Sequence, residues 1–348
     1  MSLQSRFIAF HDKIRLDSST KEELREKRDV LVGILRDSGE LPGFQEFSQG
    51  SYGMHLGIEP VDGDEYDIDV GLRFNVNCGD HQPLDLKNTI FHILENHTDY
   101  GAQIKRPCVT VTYKKGGEKA FHVDLVTYVY EDKDDHDSQM YLAKGKPGND
   151  EDEIRWEKSD PIELVNHIKN TIENEDDREQ FRRIVKYLKR WKSLKFISNG
   201  HSAPPSIGIT LLVLDDFISE RGDDLGALIR AVDSIVGRFN YHSMDENGRL
   251  LYTISCPMPL GLRFEQNSDA FEKMTVIQMT NFKDKVEKLL ADLKEVRDEA
   301  DLVKQCKKLN RIFGDDFDIP DAETVSKMQK NYIPLSTASG HEDGLKNC

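Results

Sequence analysis

The stretch from Gln49 to Val70 constrains this chain more than any other. Tyr66-Asp67-Ile68-Asp69-Val70 alternates apolar and acidic residues, the pattern of a strand with one buried face. Residues two apart in a strand project to the same side. Asp67 and Asp69 therefore point together, while Tyr66, Ile68 and Val70 face a core. Adjacent carboxylates repel one another unless a cation lies between them, and a divalent metal is the usual solution. Upstream, Gln49-Gly50-Ser51-Tyr52-Gly53 reads as a turn into a short helix with Ser51 near its N-cap. Its amides and hydroxyl suit a phosphate.

A third acid completes the set. Phe121-His122-Val123-Asp124-Leu125-Val126 predicts a strand with Phe121, Val123 and Leu125 on one face and His122, Asp124 and Val126 on the other. A carboxylate in so apolar a run is unfavourable unless paired or metal-bound. Asp62/Asp64, Asp132/Asp134 and Asp316/Asp318 share the spacing of Asp67/Asp69 but lack its apolar alternation. A phosphate cradle beside metal-binding carboxylates is the equipment of nucleotidyl transfer.

The rest of the chain reads as two regions and a tail. Leu3, Phe7, Phe10 and Ile14 have helical spacing. Ser18-Ser19-Thr20 before Glu22-Glu23 predicts a capping box and a helix to about Arg36, with Leu24, Leu31 and Leu35 inward. Phe44–Ser48 is a strand, Gly63-Asp64 a turn, and 66–75 the central strand. Residues 85–96 form a helix and 104–113 one strand; Gly116-Gly117 turns into the strand 120–130. Residues 131–160 read as a long exposed connection. Helices follow at 161–174, 177–196, 205–220, 224–239, 269–296 and 301–313, with an isolated strand at 250–255. The expected organisation is a sheet-bearing lobe with N-terminal helices over 1–160, a helical nucleotide-binding lobe over 161–320, and a mobile tail over 321–348. The fold class is α/β (α+β).

Charge and cysteine usage narrow the function. The formal net charge of −16 over 348 residues, with no long basic run, argues against an extended nucleic acid as substrate. A small anion is compatible with it. Five scattered cysteines without ligand spacing argue for a reducing compartment, against a disulfide framework and against zinc. No apolar run approaches the roughly 18–20 residues that span a bilayer. A soluble cytoplasmic protein is expected.

Gly50-Ser51, Asp67-Ile68-Asp69 and Asp124 together resemble the signature of the polymerase-β-type nucleotidyltransferase superfamily. The fuller strings Gln49-Gly50-Ser51-Tyr52 and Asp64-Glu65-Tyr66-Asp67-Ile68-Asp69-Val70 are similar to one branch, the bacterial cyclic-oligonucleotide synthases (CD-NTases, cGAS/DncV-like). These are relatives of animal cyclic GMP-AMP synthase and oligoadenylate synthetase. The helix Phe181–Lys192 resembles that branch's basic-aromatic helix, and Leu309–Phe317 its C-terminal end.

The resemblance implies a polymerase-β-like lobe with a mixed sheet. It implies two Mg²⁺ ions, with Mn²⁺ able to substitute, held by Asp67, Asp69 and Asp124 as catalytic and metal residues. It implies ATP or other NTPs as substrates, bound through Gln49, Gly50, Ser51, Tyr52, Lys186, Lys189, Arg190 and Ser206. Pyrophosphate would leave, and two or three NTPs would become a cyclic messenger in bacterial antiphage (CBASS) signalling, with regulatory or conjugating proteins as partners. Two other readings stay open on the residues alone. One is a nucleotidyltransferase acting on a protein, an antibiotic or an RNA end; the other is a nucleotide-binding regulator without chemistry.

Overall fold

The structure, a computed structural model, describes residues 2–61, 66–115, 118–196 and 202–321. The expected turns at Gly63-Asp64 and Gly116-Gly117 and the expected tail beyond Asp321 lie outside these residues, as do Asp64 and Glu65.

A mixed sheet is built from β1 (Phe44–Ser48), β2 (Tyr66–Asn77), β3 (Ala102–Ile104), β4 (Val109–Lys115), β5 (Glu118–Tyr130), β6 (Met140–Lys144) and β7 (Arg155–Ser159). The strand order is β1-β2-β5-β4-β3, with β6 joining the end of β5 and β7 pairing β6. β2 runs parallel to β5, and the other pairs are antiparallel. One face carries Ile68, Val70, Leu72, Phe74, Val109, Val111, Phe121, Val123 and Leu125. It packs on α2 (Ser18–Asp37) through Leu24, Leu31 and Leu35, and on α4 (Pro83–Leu94) through Leu86, Ile90 and Leu94.

This burial sets the register. A slip of one residue would exchange the two faces of a strand. Each large aliphatic side chain so exposed would lose roughly 2 kcal/mol. The apolar face thereby dictates that Asp67, Asp69 and Asp124 emerge on the other.

The remaining helices form a second body around α6 (Glu175–Lys195). They are α5 (Pro161–Asn170), α7 (Ser206–Asp215), α8 (Asp224–Gly237), α9 (Val276–Asp298) and α10 (Leu302–Phe313). Their core includes Phe181, Ile184, Leu188 and Trp191 of α6. The N-terminal helix α1 (Leu3–Ile14) packs here rather than on the sheet. Phe7, Phe10 and Ile14 join this core, and the Tyr187 hydroxyl donates to the Phe7 carbonyl at 2.9 Å. Helical spacing identifies α1 as amphipathic but leaves its partner open.

Other expectations change for local reasons. Helix α2 is capped by Asp17, whose side chain accepts from the Thr20 amide, in place of the expected box. Residues 104–113 are two strands, broken where Pro107 cannot extend a ladder. The segment 131–160 is no exposed connection: β6 and β7 lengthen the sheet, and a loop from the helical body docks on them. There the Arg263 amide donates to Asp160 (3.0 Å) and the Lys158 amide to Glu265 (2.9 Å). The strand near Leu250 is paired, as β9 (Leu250–Thr253) against β8 (Asn240–Met244).

Candidate active site

The register of three neighbouring strands lays out a two-row grid on the sheet face opposite the core. Asp69 lies opposite Asp124, which lies opposite Thr110. Asp67 lies opposite His122, which lies opposite Thr112. In each row a β4 hydroxyl bonds the middle side chain. Thr110 donates to Asp124 Oδ1 at 2.5 Å, and Thr112 Oγ1 meets His122 Nδ1 at 3.0 Å.

The turn seats itself on the same spot. The Gln49 amide donates to the Asp69 carbonyl at 3.2 Å. Gly50 adopts φ +58°, in the left-handed region, and a Cβ there would lie 1.9 Å from Asp69 Oδ2. Only glycine satisfies both conditions. The short helix that follows, α3 (Gly50–Gly53), has its N-cap at Gln49 and is a single turn. Its amides, more than any macrodipole, are what it can offer an anion.

Asp69 has its pKa raised to about 7, first by burial and then by the charges of Asp124 and Asp67. The three acids therefore act on one another. As they stand, no three His, Cys, Asp or Glu among the described residues are gathered closely enough to hold an ion. Their hard carboxylate oxygens and mutual repulsion nevertheless fit a divalent cation such as Mg²⁺.

A cleft of about 810 Å³ opens above the grid. Gly50, Ser51, Asp67, Asp69 and His122 line its sheet side, with Asp124 set back from the lining. Lys189, Lys192 and Ser206 line its helical side, and Met54, Leu56, Ile58, Phe196 and Ile207 give it apolar wall. Lys192 Nζ donates to Ser206 Oγ at 2.6 Å, and Lys189 Nζ to the Leu56 carbonyl at 2.8 Å. Burial, with Lys192 and Lys186 adding repulsion, lowers Lys189 to about 7. Burial lowers Lys192 to about 8.

The structure thus gathers Asp67, Asp69, Asp124, Gly50, Ser51, Lys189 and Ser206. It does not bring the other four expected nucleotide contacts into the cleft. Gln49 is buried, and its Oε1 accepts from the Tyr128 hydroxyl at 2.9 Å, so it braces the turn from below. Tyr52 and Lys186 line a separate basic cavity of about 800 Å³, where Lys186 Nζ lies 3.4 Å from His11 Nε2. Arg190 is buried, 3.3 Å from Asp316. Helical geometry explains the error: Lys186 and Arg190, four apart, share a face, but Lys189 and Lys192, three apart, hold the face over the cleft. Lys192 was missed, although its spacing from Lys189 was readable. His122 and the two threonines were also missed; their places depend on strand register.

A mixed sheet with paired aspartates beneath a glycine-serine turn, facing a helical body, defines the nucleotidyltransferase class of fold. Residues 44–128 match the family described as cyclic GMP-AMP synthase DncV-like, nucleotidyltransferase domain. A cyclic GMP-AMP synthase of Escherichia albertii is 29% identical over 168 residues, a stretch that spans 47% of this chain and 35% of that relative. The chain thus matches about a third of the curated relative's length. Among solved structures, the Bradyrhizobium diazoefficiens CD-NTase CdnG in complex with GTP superposes with a TM-score of 0.69 at 15% identity, covering 95% of this chain and 99% of that one. Vibrio cholerae DncV in complex with the linear intermediate 5′ pppA(3′,5′)pG gives 0.64 at 16% identity, covering 90% and 94%. Residues 44–128 thus match a DncV-like nucleotidyltransferase domain, and the fold of nearly the whole chain is similar to that of solved CD-NTases. Among the described residues no helix is long and apolar enough to cross a membrane.

Proposed function

We propose that this chain is a divalent-metal-dependent nucleotidyltransferase that joins two or three NTPs into a cyclic oligonucleotide and releases pyrophosphate. One observation carries the reading. The β2–β5 register sets Asp69 opposite Asp124, with Asp67 on the same face, against the turn that holds Gly50 and Ser51. Asp67, Asp69 and Asp124 would hold the metal, for which we propose two Mg²⁺ ions with Mn²⁺ as substitute. Bound there, such ions neutralise phosphate charge and assist attack of a ribose hydroxyl on the α-phosphate.

The chain's own groups do the rest. The turn amides and the Ser51 hydroxyl hold the β- or γ-phosphate. Lys189 and Lys192 oppose the triphosphate charge from α6, and Ser206 both orients Lys192 and offers a hydroxyl. The apolar wall accepts a base and excludes water, which strengthens every charge interaction within. Kinship with CD-NTases supports a place in antiphage (CBASS) signalling in the cytoplasm, with regulatory or conjugating proteins as partners.

The purified chain, given mixed NTPs with Mg²⁺ and then Mn²⁺, should release pyrophosphate. It should form a small product that resists phosphatase, identified by mass spectrometry. Asp67→Asn and Asp69→Asn should each abolish both. Retained turnover in either folded variant would refute the assigned acids. Product that appears only when a protein, drug or RNA end is added would reassign the acceptor.

A further inference from the structure

We propose that Thr110 is a positioning residue of the metal site: its hydroxyl fixes the Asp124 carboxylate and thereby sets the affinity for a divalent cation. The assignment rests on the metal-dependent nucleotidyltransfer reading. Three strands carry it. Asp69 of β2, Asp124 of β5 and Thr110 of β4 lie level with one another. Thr110 therefore flanks Asp124 on the side away from Asp69. Its hydroxyl donates to Asp124 Oδ1 at 2.5 Å, the short distance of a bond to a carboxylate. One oxygen is thereby committed, and Oδ2 is left for the cation.

The surroundings of Thr110 make this tie firm. The residue is 2% exposed, so water does not compete for the hydroxyl. Cys108 Sγ, two residues back on the same face of β4, lies 3.5 Å from Thr110 Oγ1. Sulfur is a weak acceptor, and the carboxylate takes the proton of the hydroxyl. The tie is also needed. Neighbouring strands lie about 4.8 Å apart, so Asp69 and Asp124 repel across the row, and an untethered carboxylate would swing among rotamers. Asp124 does not line the cleft. The substrate meets it through the cation, and its aim has to come from the sheet beneath. Outer bonds of this kind orient ligating carboxylates and tune metal affinity.

Mn²⁺ binding to the full chain, read by electron paramagnetic resonance with an α,β-methylene NTP present, tests this without turnover. Thr110→Val keeps the shape and removes the hydroxyl. The dissociation constant for protein-bound Mn²⁺ should rise about tenfold. Thr110→Ser keeps the hydroxyl and should stay within about threefold of wild type. The metal concentration for half-maximal pyrophosphate release should follow the same order, while the KM for NTP at saturating metal stays within about twofold. Thr110→Ala against Thr110→Ser gives the same comparison if Thr110→Val disturbs packing. In an Asp124→Asn background, Thr110→Val should change Mn²⁺ affinity by less than about twofold, because the hydroxyl acts through that carboxylate.

Equal losses in Thr110→Val and Thr110→Ser, or a full further loss in the Asp124→Asn background, would overturn the assignment. So would unchanged Mn²⁺ binding in Thr110→Val, and so would tighter binding, which would make the bond a latch that the cation has to break. A folded wild-type chain that binds no Mn²⁺ would overturn the metal site, and this role with it. Mn²⁺ binding with the expected dependence on Thr110, but no pyrophosphate from any NTP, would overturn nucleotidyl transfer and leave Thr110 in place.

Discussion

The most direct consequence of the acidic grid is that Asp69→Asn should stabilise the metal-free protein at alkaline pH while abolishing activity. The Asp69 pKa rises from 3.8 to about 7, through burial and the charges of Asp124 and Asp67. Each pH unit of that displacement is worth about 1.4 kcal/mol. Full ionisation of the trio therefore opposes folding by roughly 4 kcal/mol at most, of which solvent in the cleft leaves about 2 kcal/mol to be observed. The sign follows from proton binding. Between pH 4 and 7 the native Asp69 keeps a proton that the unfolded chain has released, so this group's contribution is largest in acid and is lost as pH rises to about 7. Asparagine mimics the protonated form.

In EDTA at pH 8 the variant should be the more stable by about 2 kcal/mol, and near pH 4 the two should coincide. Millimolar Mg²⁺ at pH 8 should stabilise the wild type and barely affect the variant. Urea denaturation followed by tryptophan fluorescence is a suitable assay. Trp156 reports on the sheet, and Trp191 on the helical core. Equal stability of the two proteins in EDTA at pH 8, or the same advantage at pH 4 as at pH 8, would refute the claim that the three carboxylates strain one another.

Three further outcomes are expected. Gly50→Ala forces a Cβ into the Asp69 carboxylate at positive φ; pyrophosphate release should fall by about a hundredfold, with a lowered melting temperature. Lys189, lowered to about 7 by burial, should have its pKa raised by a bound triphosphate. NTP binding at pH 8 should then take up a proton, visible as buffer-dependent calorimetric heat, and NTP affinity should weaken as pH climbs above 7; Lys189→Met should abolish the uptake. Arg190→Met should lower stability by only about 1 kcal/mol, because the Asp316 carboxylate it leaves behind is partly exposed and solvated, and should leave kcat per folded molecule within about twofold. A large loss of kcat at normal stability would return Arg190 to the site.

Local sequence determined which faces of the strands are apolar, and therefore which side the acids take. Tyr66-Asp67-Ile68-Asp69-Val70 and Phe121–Val126 each encode that choice through alternation alone, since burying four or five aliphatic side chains outweighs the strain of one crowded carboxylate. The glycine was legible too, because a left-handed residue ahead of a helix has few alternatives.

What tertiary structure decided is which strands become neighbours and which helix faces meet. Nothing in either segment says that β2 lies parallel to β5 with Asp69 level with Asp124, yet that register makes a site and recruits Thr110, Thr112 and His122. The basic helix α6 offers cations to several sides. Its rotation, fixed by Phe181, Ile184, Leu188 and Trp191 in the core, points Lys189 and Lys192 into the cleft and sends Lys186 and Arg190 elsewhere. Periodicity is a property of one segment, whereas a site is a relation between segments, set by the packing that buries the most apolar surface.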